Sequence, residues 1–117
     1  MQAFNEAASY EGPSLIIAYA HCVSHGFGLD DGLFHQKAAV DAGVHPLYRF
    51  DPRKKENGQP LLRLDSKRPK ISLAEFMANE GRFQMLKRRD PERAEHLCEC
   101  SEQDILKRYE ILEELAK

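Results

Sequence analysis

Two histidines and a cysteine lie within five residues of one another near the N-terminal end of the chain. They are His21, Cys22 and His25 in the stretch AYAHCVSHG, which follows directly on an apolar run at residues 14–20. Imidazole nitrogens and thiolates are ligands that zinc prefers, so a small zinc site is one interpretation. A single cysteine at this place is also typical of a nucleophile, of a metal ligand, or of a buried packing thiol.

The zinc interpretation lacks a fourth ligand, and no glutamate follows the first histidine as the metalloprotease pattern requires. Two further cysteines, Cys98 and Cys100, lie in a segment with helical periodicity. Residues two apart on a helix do not face each other, so this pair is not expected to chelate one ion. We expect Cys98 to pack on the apolar stripe and Cys100 to be more exposed. The residues alone assign no role to this pair or to His21 and His25.

The apolar run is predicted to position Cys22. Residues 14–20 are continuously apolar rather than alternating, which is typical of a strand buried on both faces of a parallel sheet. Residues 46–50 read as a second strand, so that residues 1–50, with a short helix at 2–9, form a βαβ core. Cys22 would then lie at the carboxyl end of a strand, where ligands bind in open parallel sheets.

The crossover helix is predicted to begin at Asp30 or Asp31, either of which can act as its N-cap. Four-residue spacing places three side chains on its packing face: Phe34, Ala38 and Ala42. Gly43 follows directly and can end the helix in a left-handed conformation.

The remainder of the chain is predicted to be a surface excursion and then helical. Residues 51–71 are charged and contain prolines and a glycine. Residues 72–117 carry two helices. The first begins with a capping box at Ser72 and reaches about Arg89. The second is amphipathic and spans about residues 91–116, with Asp90 at its N-cap and Pro91 in its first turn.

Composition sets the class of protein. The 117 residues are 42% hydrophobic and 31% charged with a formal net charge of −2, which is typical of one small globular domain. This balance gives no reason to expect nucleic acid or a membrane as a partner. Three cysteines, an odd number, argue against a secreted disulfide scaffold, so we expect a cytoplasmic protein.

Two parallel strands leave unpaired edges, so residues 1–117 are expected to complete a larger α/β protein or to pack against another chain.

Three segments follow one another in the chain: GPSLIIAYAHCVSHG, QKAAVDAGVHPLYRFDPR and LDSKRPKISLAEFMANEGRFQMLKRRDPERAEHL. In order and spacing they resemble the C-terminal part of pyruvate:ferredoxin (flavodoxin) oxidoreductase, from about Gly12 onward. The resemblance implies an enzyme that oxidatively decarboxylates pyruvate to acetyl-CoA on thiamine diphosphate with Mg²⁺. Its electrons pass singly through [4Fe–4S] clusters to ferredoxin or flavodoxin. The implied α/β fold is the end of the parallel-sheet thiamine-diphosphate-binding domain, followed by two C-terminal helices.

Carried over by position, Cys22 resembles the fourth ligand of the cluster nearest the thiamine, the other three coming from an upstream region. The 117 residues contain no C-x-x-C pair and no magnesium-binding motif of that family. The resemblance therefore implies a fragment with no catalytic residue of its own, and no cofactor or turnover is expected from it alone. Its implied partners are the upstream domains and, through them, ferredoxin or flavodoxin. Which 2-oxoacid and which acceptor are used stays open.

A second function from a different class is also compatible with the residues. Exposed strand edges and the amphipathic C-terminal helix could serve a non-catalytic interaction or oligomerisation module, including a homodimer.

Overall fold

Five α-helices and one two-stranded antiparallel sheet make up the computed structural model, which describes residues 1–117. In chain order the elements are α1 (Gln2–Ala8), α2 (Gly32–Asp41), β1 (Tyr48–Phe50), β2 (Leu62–Leu64), α3 (Leu73–Ala78), α4 (Gly81–Arg89) and α5 (Pro91–Leu115). Three 3₁₀ segments lie between them: Val23–His25, Leu29–Asp31 and Pro52–Asn57. The chain is elongated, at 53 × 29 × 22 Å, and its α/β class agrees with the sequence prediction.

The core forms where α2, α3 and α5 meet. Its buried members are Ala39, Ala42, Leu73, Phe76, Ile105 and Tyr109. The hydroxyl of Tyr109, whose side chain is fully buried, lies 3.1 Å from Ser66 Oγ, so the polar atom of this aromatic side chain is satisfied.

The helix start signals in the C-terminal part are confirmed. Ser72 Oγ accepts a hydrogen bond from the Glu75 amide at 3.1 Å, and Asp90 caps α5 by accepting from the Arg93 amide at 3.1 Å. Pro91 occupies the first turn of α5, where a missing amide hydrogen costs nothing. None of the helices combines the length and the apolar character that a membrane span requires.

Helix α2 forms where it is predicted, and two of the three residues of its predicted packing face pack inward. Gly43 adopts φ +73° and ends the helix as expected. His35 and Ala39 are buried, whereas Phe34 is 76% exposed. Ala42 is buried in the core and Ala38 packs against it, as predicted. The prediction that Phe34 packs inward is wrong, because α2 packs against α3 and α5 rather than against a parallel sheet.

The predicted βαβ core at residues 1–50 is not formed in this structure. Residues 14–20 run without helix, turn or bend, and none of their backbone groups takes part in a backbone hydrogen bond. Leu15 is 84% exposed and Ile17 is 74% exposed. The second predicted strand does form as β1, but it pairs antiparallel with β2, Tyr48 opposite Leu64. Residues 14–20 remain unpaired because β1 takes β2 as its antiparallel partner, and no other strand is present to form hydrogen bonds with them.

The helix predicted to run from Ser72 to Arg89 is broken into α3 and α4. Asn79 is the last residue with helical backbone angles, and Glu80 is extended at φ −114° and ψ 123°. The side chain of Glu80 is fully buried beside His35, and Gly81 begins α4. The prediction of a single long helix is therefore wrong: the backbone leaves helical geometry at Glu80, where the carboxylate is buried beside His35. The second predicted helix is confirmed as α5.

Candidate functional site

Cys22 lies on a short structured loop, residues 21–28, which we call the Cys22 loop. The backbone of Cys22 is extended, at φ −133° and ψ 134°, and it precedes the 3₁₀ turn Val23–His25. The His25 amide donates to the Cys22 carbonyl at 2.9 Å, and the Gly26 amide donates to the Val23 carbonyl at 2.9 Å. These bonds give a lone cysteine a defined place on the surface.

The thiol of Cys22 is exposed, which excludes the interpretation as a buried packing residue. Hydrogen bonding from the Ser24 hydroxyl, and next from the Ser24 amide, lowers the pKa of Cys22 below its usual value. Because the thiolate is the form that binds metals and attacks electrophiles, this environment favours reactivity or ligation.

The two histidines beside Cys22 do not join it in a metal site. The ring of His21 lies edge-on to Phe27, with centroids 5.6 Å apart, while His25 Nδ1 faces the Glu80 carboxylate at 3.9 Å. No group of three or more His, Cys, Asp or Glu side chains in the structure could hold a metal ion. The structure therefore does not assemble the small zinc site of His21, Cys22 and His25.

The Cys22 loop is fastened to the junction between α3 and α4 through two glycines. The Gly81 amide donates to the Gly26 carbonyl at 3.0 Å. Gly26 has φ +80°, and a Cβ added to it would lie 3.0 Å from Gly81 Cα. A Cβ added to Gly81 would lie 3.2 Å from the Gly26 carbonyl oxygen. The two backbones thus approach closely because neither residue has a side chain.

Aromatic stacking ties the same loop to the core. The ring of Phe27 stacks on that of His35, with centroids 4.1 Å apart and planes 20° apart. His35 stacks in turn on Phe76, a core residue of α3, with centroids 5.0 Å apart. The loop is therefore held both at its backbone, through Gly26, and by a side chain.

Glu80 forms the polar centre beneath the loop, and sequence reasoning missed it. Its carboxylate accepts a hydrogen bond from His35 at 2.7 Å and another from Arg82 Nε. Partial burial, followed by the charge of Glu80, raises the pKa of Tyr19. The only sequence signal that could have indicated a break here is Gly81, because glycine has a low helix propensity.

The other two cysteines lie where the sequence predicts. Cys98 is partly buried against the core, and burial is the main cause that raises its pKa. Cys100 is exposed, with its sulfur 3.7 Å from His96 Nε2. The structure gives neither thiol a functional contact.

No protein-family model matches the chain. Several individual proteins are similar to it in sequence. It is 50% identical over 116 residues to the pyruvate-flavodoxin oxidoreductase of Rhodospirillum rubrum and 44% identical over 116 residues to that of Trichormus variabilis. It is 42% identical over 117 residues to the pyruvate:ferredoxin oxidoreductase of Moorella thermoacetica. The chain is homologous to one segment of these oxidoreductases.

The similarity covers 99%, 99% and 100% of this chain but 10% of each relative. The chain thus spans about a tenth of the length of the oxidoreductases it matches. These identities confirm that the chain corresponds to a segment of such an oxidoreductase, as the order of its sequence segments indicated.

Proposed function

We propose that this chain serves as a segment of a pyruvate (2-oxoacid):ferredoxin or flavodoxin oxidoreductase, in which it completes the thiamine-diphosphate domain and supplies Cys22 as a cluster ligand. The observation that carries the proposal is the exposed thiol of Cys22, with its lowered pKa, in a chain that is homologous over its length to such enzymes. Ferredoxin or flavodoxin would then be partners of the assembled enzyme.

The residues present fit one corner of a [4Fe–4S] cluster, which is held by four cysteine thiolates. Cys22 offers one such thiolate, and it belongs to no group of three or more His, Cys, Asp or Glu side chains that could hold a metal ion. Three ligands must therefore come from the remainder of the oxidoreductase, as must the residues for thiamine diphosphate and Mg²⁺. When bound, the cluster transfers one electron at a time. Ser24 would contribute hydrogen bonding at the sulfur, which is a determinant of reduction potential.

Residues 14–20 are the part of the chain best suited to enter a sheet of that remainder. Their backbone groups form no backbone hydrogen bond, and Leu15 and Ile17 are largely exposed. A strand added from the remaining polypeptide would satisfy these groups and cover these side chains. In that setting residues 14–20 become the buried parallel strand that their apolar composition indicates, with Cys22 at its carboxyl end.

The assignment of Cys22 is tested by co-expressing the chain with the remaining segment of such an oxidoreductase and measuring iron, acid-labile sulfide and visible absorbance. Cys22→Ser and Cys22→Ala should lower iron and change the spectrum of the assembly. Cys100→Ser is the matched control, because Cys100 is also an exposed thiol but lies on α5. Unchanged iron content and spectrum in both Cys22 variants would remove the ligand assignment.

Exposed apolar surface also favours a second function, that of a non-catalytic interaction module. Large apolar side chains are exposed along residues 14–20 and on α2 and β1, among them Leu15, Ile17, Leu33, Phe34 and Phe50. Two copies could pair their free segments and bury this surface as a homodimer. A hydrodynamic size that rises with protein concentration, and that falls when Ile17 is replaced by Lys, would support it. A monomer over the whole concentration range would contradict it.

A further inference from the structure

Glu80 is the one carboxylate whose residue is fully buried. Removing a charge from water is costly unless hydrogen bonds and opposite charges surround it. The contacts of Glu80 therefore indicate which parts of the molecule depend on this carboxylate.

Those contacts join three elements. Oε1 accepts from His35 of α2 at 2.7 Å, and Oε2 accepts from Arg82 in the first turn of α4. Oε1 also lies 3.9 Å from Nδ1 of His25, a buried ring nitrogen of the Cys22 loop that has no hydrogen-bond partner. Glu80 is thus fixed from two sides and faces the loop on a third.

The backbone next to Glu80 makes the link to the loop direct. The peptide that joins Glu80 to Gly81 carries the amide that donates to the Gly26 carbonyl at 3.0 Å. Gly26 ends the 3₁₀ turn that begins after Cys22. Because the Glu80 side chain is anchored by His35 and Arg82, the backbone of Glu80 is restrained, and with it the orientation of the peptide that donates to Gly26.

We propose that Glu80 is a positioning residue for the Cys22 loop: held by His35 and Arg82, it presents the Gly81 amide to Gly26 and so fixes the direction in which the Cys22 thiol points. The role of Glu80 in positioning the Cys22 loop follows from these contacts alone. A consequence for the iron–sulfur cluster rests on the proposed function: by fixing the Cys22 thiol, Glu80 would influence the bond between Cys22 and iron and so the reduction potential of the cluster.

Amide hydrogen exchange, measured by NMR on the full chain, tests the effect on the loop. Arg82→Gln removes one partner of Glu80 at a side chain that is 45% exposed, so this variant is expected to fold. We expect exchange at the amides of Gly81 and Gly26 to be about tenfold faster, the size expected from losing one hydrogen bond to a charged group. Exchange at Tyr109, within α5, should not change. Glu80→Gln should give a larger effect at the same two amides.

Arg88→Gln is the matched control, because Arg88 lies on the same helix, is exposed, and makes no ion pair. The proposal is overturned if Arg82→Gln leaves the Gly81 amide unchanged, if Arg88→Gln has the same effect, or if Tyr109 exchanges faster by the same factor, which would indicate general destabilisation.

The same variants in the co-expressed assembly test the consequence for the cluster. Arg82→Gln should shift the midpoint potential and the EPR spectrum of the cluster at unchanged iron content, whereas Arg88→Gln should not. A loop effect in the exchange data with no shift in potential overturns the tuning of the cluster but not the positioning of the loop. Unchanged iron in Cys22→Ser, by contrast, defeats the proposed function and leaves the exchange result standing.

Discussion

Replacing Gly26 by alanine is the most informative change to the loop, because a second glycine provides a matched control. Gly26 and Gly58 both have positive φ, at +80° and +64°. A Cβ on Gly58 would meet nothing within 4 Å, whereas a Cβ on Gly26 would lie 3.0 Å from Gly81 Cα and 3.1 Å from Gly81 N. Comparing the two alanine variants therefore separates two contributions to the free energy of unfolding: the left-handed backbone conformation and the close contact with Gly81.

The expected magnitudes follow from these two geometries. The left-handed conformation costs an alanine about 1–2 kcal/mol, partly offset by about 0.4–1 kcal/mol from the lower entropy of the unfolded chain. Gly58→Ala should therefore lower the free energy of unfolding by about 1 kcal/mol. Gly26→Ala should cost a further ~1–2 kcal/mol, because the new methyl group pushes on backbone and weakens the hydrogen bond between Gly81 and Gly26.

Urea denaturation followed by far-UV circular dichroism gives both free energies of unfolding if the transitions are two-state with equal slopes. We expect a clearly lower midpoint for Gly26→Ala than for Gly58→Ala. Equal midpoints for the two variants would refute it, because the close contact between the loop and the α3–α4 junction would then contribute nothing.

Two further predictions concern titrating groups. In alkylation by iodoacetamide followed by mass spectrometry, Cys22 should reach its half-maximal rate at a lower pH than Cys98, because hydrogen bonding from Ser24 lowers the pKa of Cys22 and burial raises that of Cys98. Ser24→Ala should move the Cys22 profile to higher pH, and an unmoved profile would contradict the role of Ser24. Hydrogen bonds from Arg49, at 2.6 and 2.8 Å, lower the pKa of Asp65, so the stability from this pair is present above the unfolded value near 4 and is lost as pH falls through the folded pKa. Asp65→Asn should flatten the fall in melting temperature below about pH 4, whereas Asp104→Asn, at an exposed residue, should not.

The sequence predicted local structure well wherever a few neighbouring residues decide it. Ser72 and Asp90 cap their helices, and Gly43 ends α2, because each effect depends on side chains or backbone angles within one turn. The exposure of Cys100 and the partial burial of Cys98 followed from helical spacing in the same way.

Predictions that depended on distant partners were less successful. Residues 14–20 have the composition of a buried strand, but composition does not supply the neighbouring strand that would pair with them. Glu80 was missed because nothing nearby in sequence shows that His35, 45 residues earlier, meets its carboxylate. The break between α3 and α4 lies at this same residue, and it was missed as well.

The central claim is that Cys22 supplies a thiolate to an iron–sulfur cluster completed by other residues of the oxidoreductase. The most direct measurement is an experimental structure of the assembled protein with an anomalous-scattering map for iron. The account predicts iron bonded to Cys22 Sγ, with three further ligands from outside this chain. A cluster whose four thiolates all come from elsewhere, with Cys22 unbound, would contradict it.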